Sequence, residues 1–265
     1  MSELYQCTAG VAALRRTPQD DGALDTQVLA GETFAVETEE DGWGYGEAQL
    51  DGYRGWVNLS AFAAPALIPT HRVSALRTYV FSEPDLKSAP HFLMSLNAKI
   101  SAGNREGRFV QAQRQGWVFE GHLAPLGAVE LDYVAVAERF LNAPYLWGGK
   151  ESLGLDCSGL IQTAMEAAGG RCPRDSGDQE AWARERWLPV PVTEDFAGLA
   201  RGDLVFWPGH VGVMTDAVNF LHANAHHMAT AIEPLYTAAR RIAHKHAPVS
   251  GIFRPAAEAE WTGLA

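Results

Sequence analysis

Between residues 11 and 62, apolar and polar side chains alternate with a period of two, the pattern of strands with one buried face. The runs are short: Gln27-Val28-Leu29-Ala30-Gly31, Thr33-Phe34-Ala35-Val36-Glu37-Thr38, Gly42-Trp43-Gly44-Tyr45-Gly46 and Asp51-Gly52-Tyr53-Arg54-Gly55-Trp56-Val57. Asp-Gly and other glycine-rich pairs stand where tight turns are needed. Strands about ten residues apart predict a small antiparallel barrel. A fainter version follows in Arg77-Thr78-Tyr79-Val80-Phe81, Leu96-Asn97-Ala98-Lys99-Ile100, Gly107-Arg108-Phe109-Val110-Gln111-Ala112 and Gln115-Gly116-Trp117-Val118. The tripeptides Gly55-Trp56-Val57 and Gly116-Trp117-Val118 lie 61 residues apart, a period that fits one such barrel. The predicted barrels occupy residues 1–65 and 66–126, with Pro65 and Pro69 at the first junction and Pro125-Leu126-Gly127 at the second.

After residue 127 the period changes. Residues 132–141 read as a helix with Val134, Ala137, Phe140 and Leu141 on one stripe, stopped by Asn142-Ala143-Pro144. A second helix starts at Asp156-Cys157-Ser158, carries Leu160, Ile161, Ala164, Met165 and Ala168, and ends at Gly169-Gly170. β-type runs follow at 203–207, 210–214 and 218–222. Helices first and an antiparallel sheet afterwards predict an α+β domain over residues 127–265. Trp147 and Trp207 are expected in its core.

The 265 residues suit two or three units, and 47% hydrophobic with 20% charged residues is a globular balance, not a disordered one. The net charge of −11, without any basic block, argues against nucleic acid and anionic membranes as partners. No apolar run approaches the roughly 18 residues of a bilayer span. The first residues, Met1-Ser2-Glu3-Leu4-Tyr5-Gln6-Cys7, lack the features of a secretory leader. Cys7, Cys157 and Cys172 are an odd set without CxxC spacing, so reduced thiols and a cytoplasmic location are expected.

Cys157 stands at a helix start, where free N–H groups and the macrodipole favour an anion. A thiol there can have its pKa lowered to roughly 3.5–7.5, above all beside an imidazole. Packing alone would not call for its polar setting, Asp156 before it and Ser158-Gly159 after it. A nucleophilic cysteine needs a base, and nine histidines are available. His71, His91 and His122 belong to the barrel half and are expected to be solvated. His244 and His246 lie in a basic stretch with Arg240, Arg241 and Lys245 that reads as an exposed face. His210 follows the turn pair Pro208-Gly209 at a strand start. A three-residue loop at 215–217 would pair Met214 with Val218 and set His210 directly opposite His222. Cys157 then attacks a carbonyl, His210 moves the proton, and His222 orients His210. Helix N–H groups and Tyr145 are the candidate oxyanion donors. A zinc site of Cys157, His210 and His222 is the competing reading, weakened by the absence of paired cysteines or an H-E-x-x-H helix. No metal or other cofactor is expected.

Several motifs occur in one order: Tyr145-Leu146-Trp147-Gly148-Gly149, Leu155-Asp156-Cys157-Ser158-Gly159-Leu160, Arg174-Asp175-Ser176 with Gln179, and Gly202-Asp203-Leu204-Val205-Phe206-Trp207 before Gly209-His210-Val211-Gly212. Over roughly residues 130–255 the chain resembles NlpC-type cell-wall cysteine peptidases, which implies a papain-like α+β fold and a triad of Cys157, His210 and His222. The N-terminal half resembles two bacterial SH3-like barrels. With His222-Ala223-Asn224-Ala225-His226-His227-Met228, the whole is similar to the γ-D-glutamyl-L-diamino-acid endopeptidases of murein-peptide recycling. Those cut between γ-D-glutamate and meso-diaminopimelate or lysine in free stem peptides with an unblocked L-alanine. The resemblance implies substrate contacts at Tyr145, Asp156, Ser158 and Ser176. It also implies that Tyr53 and an acid of the first barrel (Asp20, Asp21 or Asp25) hold the L-alanine amine. The rival expectations are an N-acylmuramyl-L-alanine amidase or acyltransferase of the same superfamily, and a non-catalytic peptidoglycan-peptide-binding protein.

Overall fold

The computed structural model describes residues 3–255 and divides the chain into two compact units, Met1–Ala128 and Val129–Ala265. In the first unit, β1 (Glu3–Cys7), β2 (Val11–Arg15), β3 (Leu24–Leu29), β4 (Thr33–Glu40), β5 (Trp43–Ala48), β6 (Arg54–Asn58) and β7 (Phe62–Ala63) form one antiparallel sheet. Its strand order is β3-β2-β6-β5-β4-β1-β7. Alternation along the strands turns Ala12, Leu14, Val28, Phe34, Val36 and Val57 into a shared core.

The order then repeats. Here β8 is His71–Val73, β9 Arg77–Phe81, β10 Pro90–Ser95, β11 Lys99–Ile100, β12 Ala102–Glu106, β13 Phe109–Ala112, β14 Gly116–Phe119 and β15 Leu123–Pro125. They make a five-stranded sheet, β10-β9-β14-β13-β12, and a three-stranded one, β11-β8-β15. These are the neighbours of the first sheet in the same order, with the long β4 broken into β11 and β12. The two Gly-Trp-Val tripeptides occupy equivalent strands. Val57 lies opposite Leu14, Val118 lies opposite Val80, and all four are fully buried. Leu29 and Ala30 reach from the first sheet into the second core, beside Val73, Met94 and Ile100. The junction is tight, because the Lys99 N–H donates to the Ala30 carbonyl at 2.7 Å.

In the second unit, Asp132 caps α1 (Tyr133–Glu138) by accepting from the Val134 and Ala135 N–H groups. A two-stranded ribbon, β16 (Lys150–Glu151) and β17 (Gly154–Leu155), leads into α2 (Cys157–Ala167), and α3 (Ser176–Arg186) follows. The main sheet comprises β18 (Leu188–Pro189), β19 (Leu204–Trp207), β20 (His210–Met214), β21 (Asn219–Asn224), β22 (Ala229–Pro234) and, after α4 (Leu235–Lys245), β23 (Gly251–Arg254). Its order is β18-β23-β19-β20-β21-β22. α4 and the sheet enclose Val205, Trp207, Met214, Phe220, Leu235 and Ala238, while α2 packs on β20, β21 and α1. Almost every residue of α2 is buried, its polar Gln162 and Thr163 included, so the helix is central and not merely amphipathic.

Four expectations need correction. Trp147 is 69% exposed, beside the exposed Leu146 in the loop before Gly148, whereas Trp207 is buried. Leu141 is exposed, since α1 ends at Glu138 and the turn that follows buries Phe140 but not its neighbour. α3 and α4 went unpredicted: α3 buries only Gln179 and Ala183, a face too narrow to show as periodicity. His122 is not solvated, for it bonds the Thr78 hydroxyl at 2.8 Å and packs edge-on to Phe119.

Gly31 has φ +77°, and a Cβ on it would lie 2.0 Å from the Lys99 carbonyl oxygen. Gly31→Ala is expected to cost about 2 kcal/mol or more, from backbone strain and a clash that no rotamer relieves. Urea unfolding checks this, and an unchanged midpoint would refute the close approach.

Candidate active site

The start of α2 is fixed by one carboxylate. Asp156, in extended backbone conformation, caps the helix: its Oδ1 accepts from Gly159 N at 2.7 Å and its Oδ2 from Gly148 N at 2.8 Å. Arg174 lies across the same carboxylate in a two-point fork, Nη1 to Oδ1 at 2.9 Å and Nη2 to Oδ2 at 2.8 Å. It also donates to Ser158 Oγ at 3.0 Å and to the Gly149 carbonyl at 3.2 Å. All of these groups are buried, so the charges are tolerated only because each is paired and hydrogen-bonded. Gly159 has no room for a side chain, since a Cβ would meet the Gly149 oxygen at 2.2 Å. Cys157 is thereby held between two residues, Asp156 and Ser158, whose side chains belong to the scaffold.

The Cys157 thiol is within hydrogen-bonding reach of the Val211 and Ser158 N–H groups. These and Arg174 favour the thiolate, yet burial, aided by Asp156, pushes the thiol up to about 11. The expected lowering is therefore absent, because desolvation outweighs the helix N-terminus. Cys157 rests as a thiol and needs a base.

That base is assembled on the sheet. Pro208-Gly209 turns β19 into β20, with Trp207 opposite His210, and Gly209 takes φ +75°. The next hairpin differs from expectation. Met214 pairs with Phe220, not Val218, because Asp216 Oδ1 accepts from Val218 N and Asn219 N, and Thr215 N donates to the Asn219 carbonyl. This register puts Gly212 opposite His222, so His210 and His222 are diagonal neighbours and not a direct pair. The loop is odd in length, which keeps both on one face. Their contact is His210 Nε2 to His222 Nδ1, 2.8 Å.

His222 is fully buried, with its ring tilted against Phe220, and its Nε2 faces Glu233 Oε1 at 2.9 Å. Glu233 in turn is gripped by Arg241, Nη1 to Oε2 at 2.6 Å and Nη2 to Oε1 at 2.5 Å. Despite partial burial, Arg241 and His222 hold the Glu233 carboxyl far below its ordinary range. A carboxylate can only accept, so His222 Nε2 carries a proton. Burial lowers the pKa of His222 and keeps it neutral, which leaves Nδ1 as acceptor. His210 must then donate from Nε2, and its Nδ1 is the free base. Burial, with His222, Arg241 and His246 nearby, lowers His210 to about 3 and keeps it unprotonated. Glu233 and Arg241 lie outside the sequence-predicted site, because nothing in the spacing of residues 222, 233 and 241 links them before β22 and α4 pack.

A cleft of about 220 Å³ opens over the two imidazoles, lined also by Tyr145, Asn224, Arg241 and the end of α4. His246 is part of this wall and bonds the Pro208 carbonyl at 2.7 Å, so the basic stretch 240–246 is not simply a solvated face. Tyr145 is half-buried, anchored by its N–H to the Met228 carbonyl at 3.0 Å. Burial, then Cys157 and Asp156, push its phenol up to about 12, so it stays a neutral donor. Ser176 begins α3, which Gln179 ties to the Ser158 carbonyl at 3.0 Å. Tyr53 belongs to the N-terminal unit, where it packs against the first core and its N–H donates to Asp51 Oδ1. Asp25 pairs with Arg16 at 2.7 Å. Among the described residues, the potential metal ligands within 4.8 Å of one another are His222, His227 and Glu233, not Cys157, His210 and His222. Arg241 occupies both Glu233 oxygens, so that set does not suit a cation.

The buried Cys157 thiol meets the N–H of Val211, the residue after His210, and the two imidazoles behind it are neutral and oriented, the set of groups that cysteine hydrolysis requires. Residues 142–244 match the NlpC/P60 family, and residues 14–62 match the bacterial dipeptidyl-peptidase Sh3 domain. The chain thus joins an SH3-type domain to a cysteine peptidase domain of the NlpC/P60 type. It is 25% identical over 225 residues to the γ-D-glutamyl-L-lysine dipeptidyl-peptidase of Bacillus subtilis, covering 77% of this chain and 73% of that protein. Dipeptidyl-peptidase 6 of Lysinibacillus sphaericus is 34% identical over 107 residues, 40% of this chain and 35% of the relative. A crystal structure of an NlpC/P60 family protein from Bacillus cereus superposes with a TM-score of 0.78 at 19% identity, covering 95% of this chain and 99% of that one. It shows the same mixed α/β fold.

Removing Arg174 leaves a buried, uncompensated Asp156 carboxylate. Arg174→Leu is expected to lose about 3–5 kcal/mol of stability, read by denaturant unfolding of the second unit's signal. Glu233→Gln frees the tautomer of His222, and kcat is expected to fall roughly 10- to 100-fold with the fold retained by circular dichroism. Unchanged kcat would remove Glu233 from the relay.

His210 adds a pH signature. Its folded pKa, about 3, lies below the ordinary 6.5, so the unfolded chain binds the proton first. Its contribution is full above about pH 6.5 and is lost as pH falls toward 3. His210→Asn should therefore lose less stability than wild type between pH 7 and 4. Parallel losses would show that His210 is not the group that titrates.

Proposed function

We propose that this protein is a cysteine endopeptidase that hydrolyses the bond between γ-D-glutamate and a diamino acid in free murein stem peptides with an unblocked N-terminal L-alanine. The observation that supports this reading most is that the Cys157 thiol meets the N–H of Val211, next in the chain to His210, while His210 bonds His222 and His222 faces Glu233. The bond choice is supported by the name of the Bacillus subtilis relative, a γ-D-glutamyl-L-lysine dipeptidyl-peptidase.

In this reading Cys157 Sγ attacks the glutamyl γ-carbonyl carbon while its proton passes to His210 Nδ1. The new imidazolium is held by His222 Nδ1, and Glu233 offsets the charge one residue further on. The Tyr145 hydroxyl and the first N–H groups of α2 stabilise the oxyanion. Collapse breaks the C–N bond, and His210 returns the proton to the departing amine. Water, activated by His210, then cleaves the thioester and restores the thiol. Asp156 and Ser158 act by holding the helix start, with Ser176 as a substrate contact. The repeated strand order supports a second SH3-like barrel at residues 66–126, and the C-terminal architecture a papain-like plan. Peptide recycling in the cytoplasm is the physiological setting we infer for an enzyme of free peptides.

The test is mass spectrometry of L-Ala-γ-D-Glu-meso-diaminopimelate with wild type and Cys157→Ala, beside an N-acetylated copy. Release of L-Ala-D-Glu from the free peptide alone, abolished in the variant, is expected. Equal cleavage of both peptides would discard the requirement for a free amine, and cleavage of neither would discard the function.

A further inference from the structure

The cleft over His210 and His222 has a basic wall. Arg241, Lys245 and His246, at the end of α4, line it together with His226, and no aspartate or glutamate is among its lining residues. The whole chain carries a net charge of −11, so composition does not account for this concentration. The basic groups are not equivalent. Arg241 is committed to Glu233 through both nitrogens. Lys245 makes no ion pair among the described residues and is exposed at the cleft, so the excess positive charge is its own. His246 is fixed by its bond to the Pro208 carbonyl, next to the turn that presents His210. The field reaches the neighbouring imidazoles: Arg241, first among the causes, holds His226 below its ordinary value.

The reaction itself says which part of a substrate meets this wall. His210 must pass a proton to the departing amine, so the leaving residue occupies the cleft on the His210 side. We propose that the Lys245 wall binds a carboxylate of the leaving diamino acid and so selects among stem peptides. This deepens the function proposed above and rests on it. Two carboxylates have the required chemistry. One is the main-chain carboxylate of a tripeptide. The other is at the far end of the diaminopimelate side chain, where it offsets the ammonium on the same carbon, whereas lysine keeps that ammonium alone and the wall repels it.

The experiment compares kcat/KM for four peptides: L-Ala-γ-D-Glu-meso-diaminopimelate, its main-chain amide, its side-chain amide, and L-Ala-γ-D-Glu-L-Lys. Wild type, Lys245→Ala and Lys245→Glu are used. Amidating the carboxylate that is bound should lower kcat/KM about fivefold in wild type, the size of one partly solvated ion pair. That penalty should vanish in Lys245→Ala and reverse in Lys245→Glu. Sensitivity to the side-chain amide identifies the distal carboxylate and brings a matching preference over lysine. Sensitivity to the main-chain amide identifies the other. The inference is overturned if neither amide matters, or if the penalty is the same in all three proteins, while cleavage itself persists. Failure to cleave any of the four would instead overturn the function on which it rests.

Discussion

The two-point ion pair between Arg174 and Asp156 is the constraint on which the catalytic unit depends. A single carboxylate closes the first turn of α2, receives the Gly148 N–H from the preceding loop and holds Arg174 from the segment before α3. Three stretches of chain therefore meet at the residue before Cys157. In water such a pair contributes little, because solvent screens it and side-chain entropy opposes it. Here both partners are buried, so breaking the pair would leave a charge without solvent. The arrangement is thus close to all-or-none. Position, not an intrinsically acidic thiol, is what it gives Cys157.

Basicity at the other side of the thiol is also a matter of placement. Glu233 accepts from His222, which makes His222 an acceptor for His210, which leaves His210 Nδ1 open. Each tautomer follows from the one before, and the sequence of constraints starts at the Arg241–Glu233 pair. The resting state has a thiol and a neutral imidazole, both disfavoured from ionising by burial. In the reaction we propose, charge separation is deferred to the moment when a substrate supplies an electrophile. The Val211 and Ser158 N–H groups and the relay behind His210 are already in place to receive it, so little reorganisation is needed.

Much of this site was legible in the linear pattern because the chemistry is local. Asp-Cys-Ser-Gly marks a capped helix start, and Pro-Gly-His marks a turn that displays a strand's first residue. The strand runs and the 61-residue echo of Gly-Trp-Val were likewise visible, since alternation and turn chemistry depend only on near neighbours. The hairpin register was not. The parity of its loop was read correctly, but its length depended on Asp216 folding back on Val218 and Asn219, which moved the pairing by one step along each strand. Trp147 was misjudged because hydrophobicity alone does not reveal which way a glycine-bounded loop turns. α3 stayed hidden because it buries so little of its surface.

The residues themselves, then, determined that this chain holds a repeated small-barrel pattern, a capped cysteine helix and a histidine-bearing antiparallel sheet. Tertiary structure alone decided that Glu233 and Arg241 stand behind His222, and that the basic end of α4 faces the cleft. It also decided that Cys157 rests protonated. The reason is physical. Caps, turns and alternation are short-range preferences written into adjacent residues. Desolvation and ion pairing depend on which distant groups share a dry interior, and that is settled only when the helices close on the sheet.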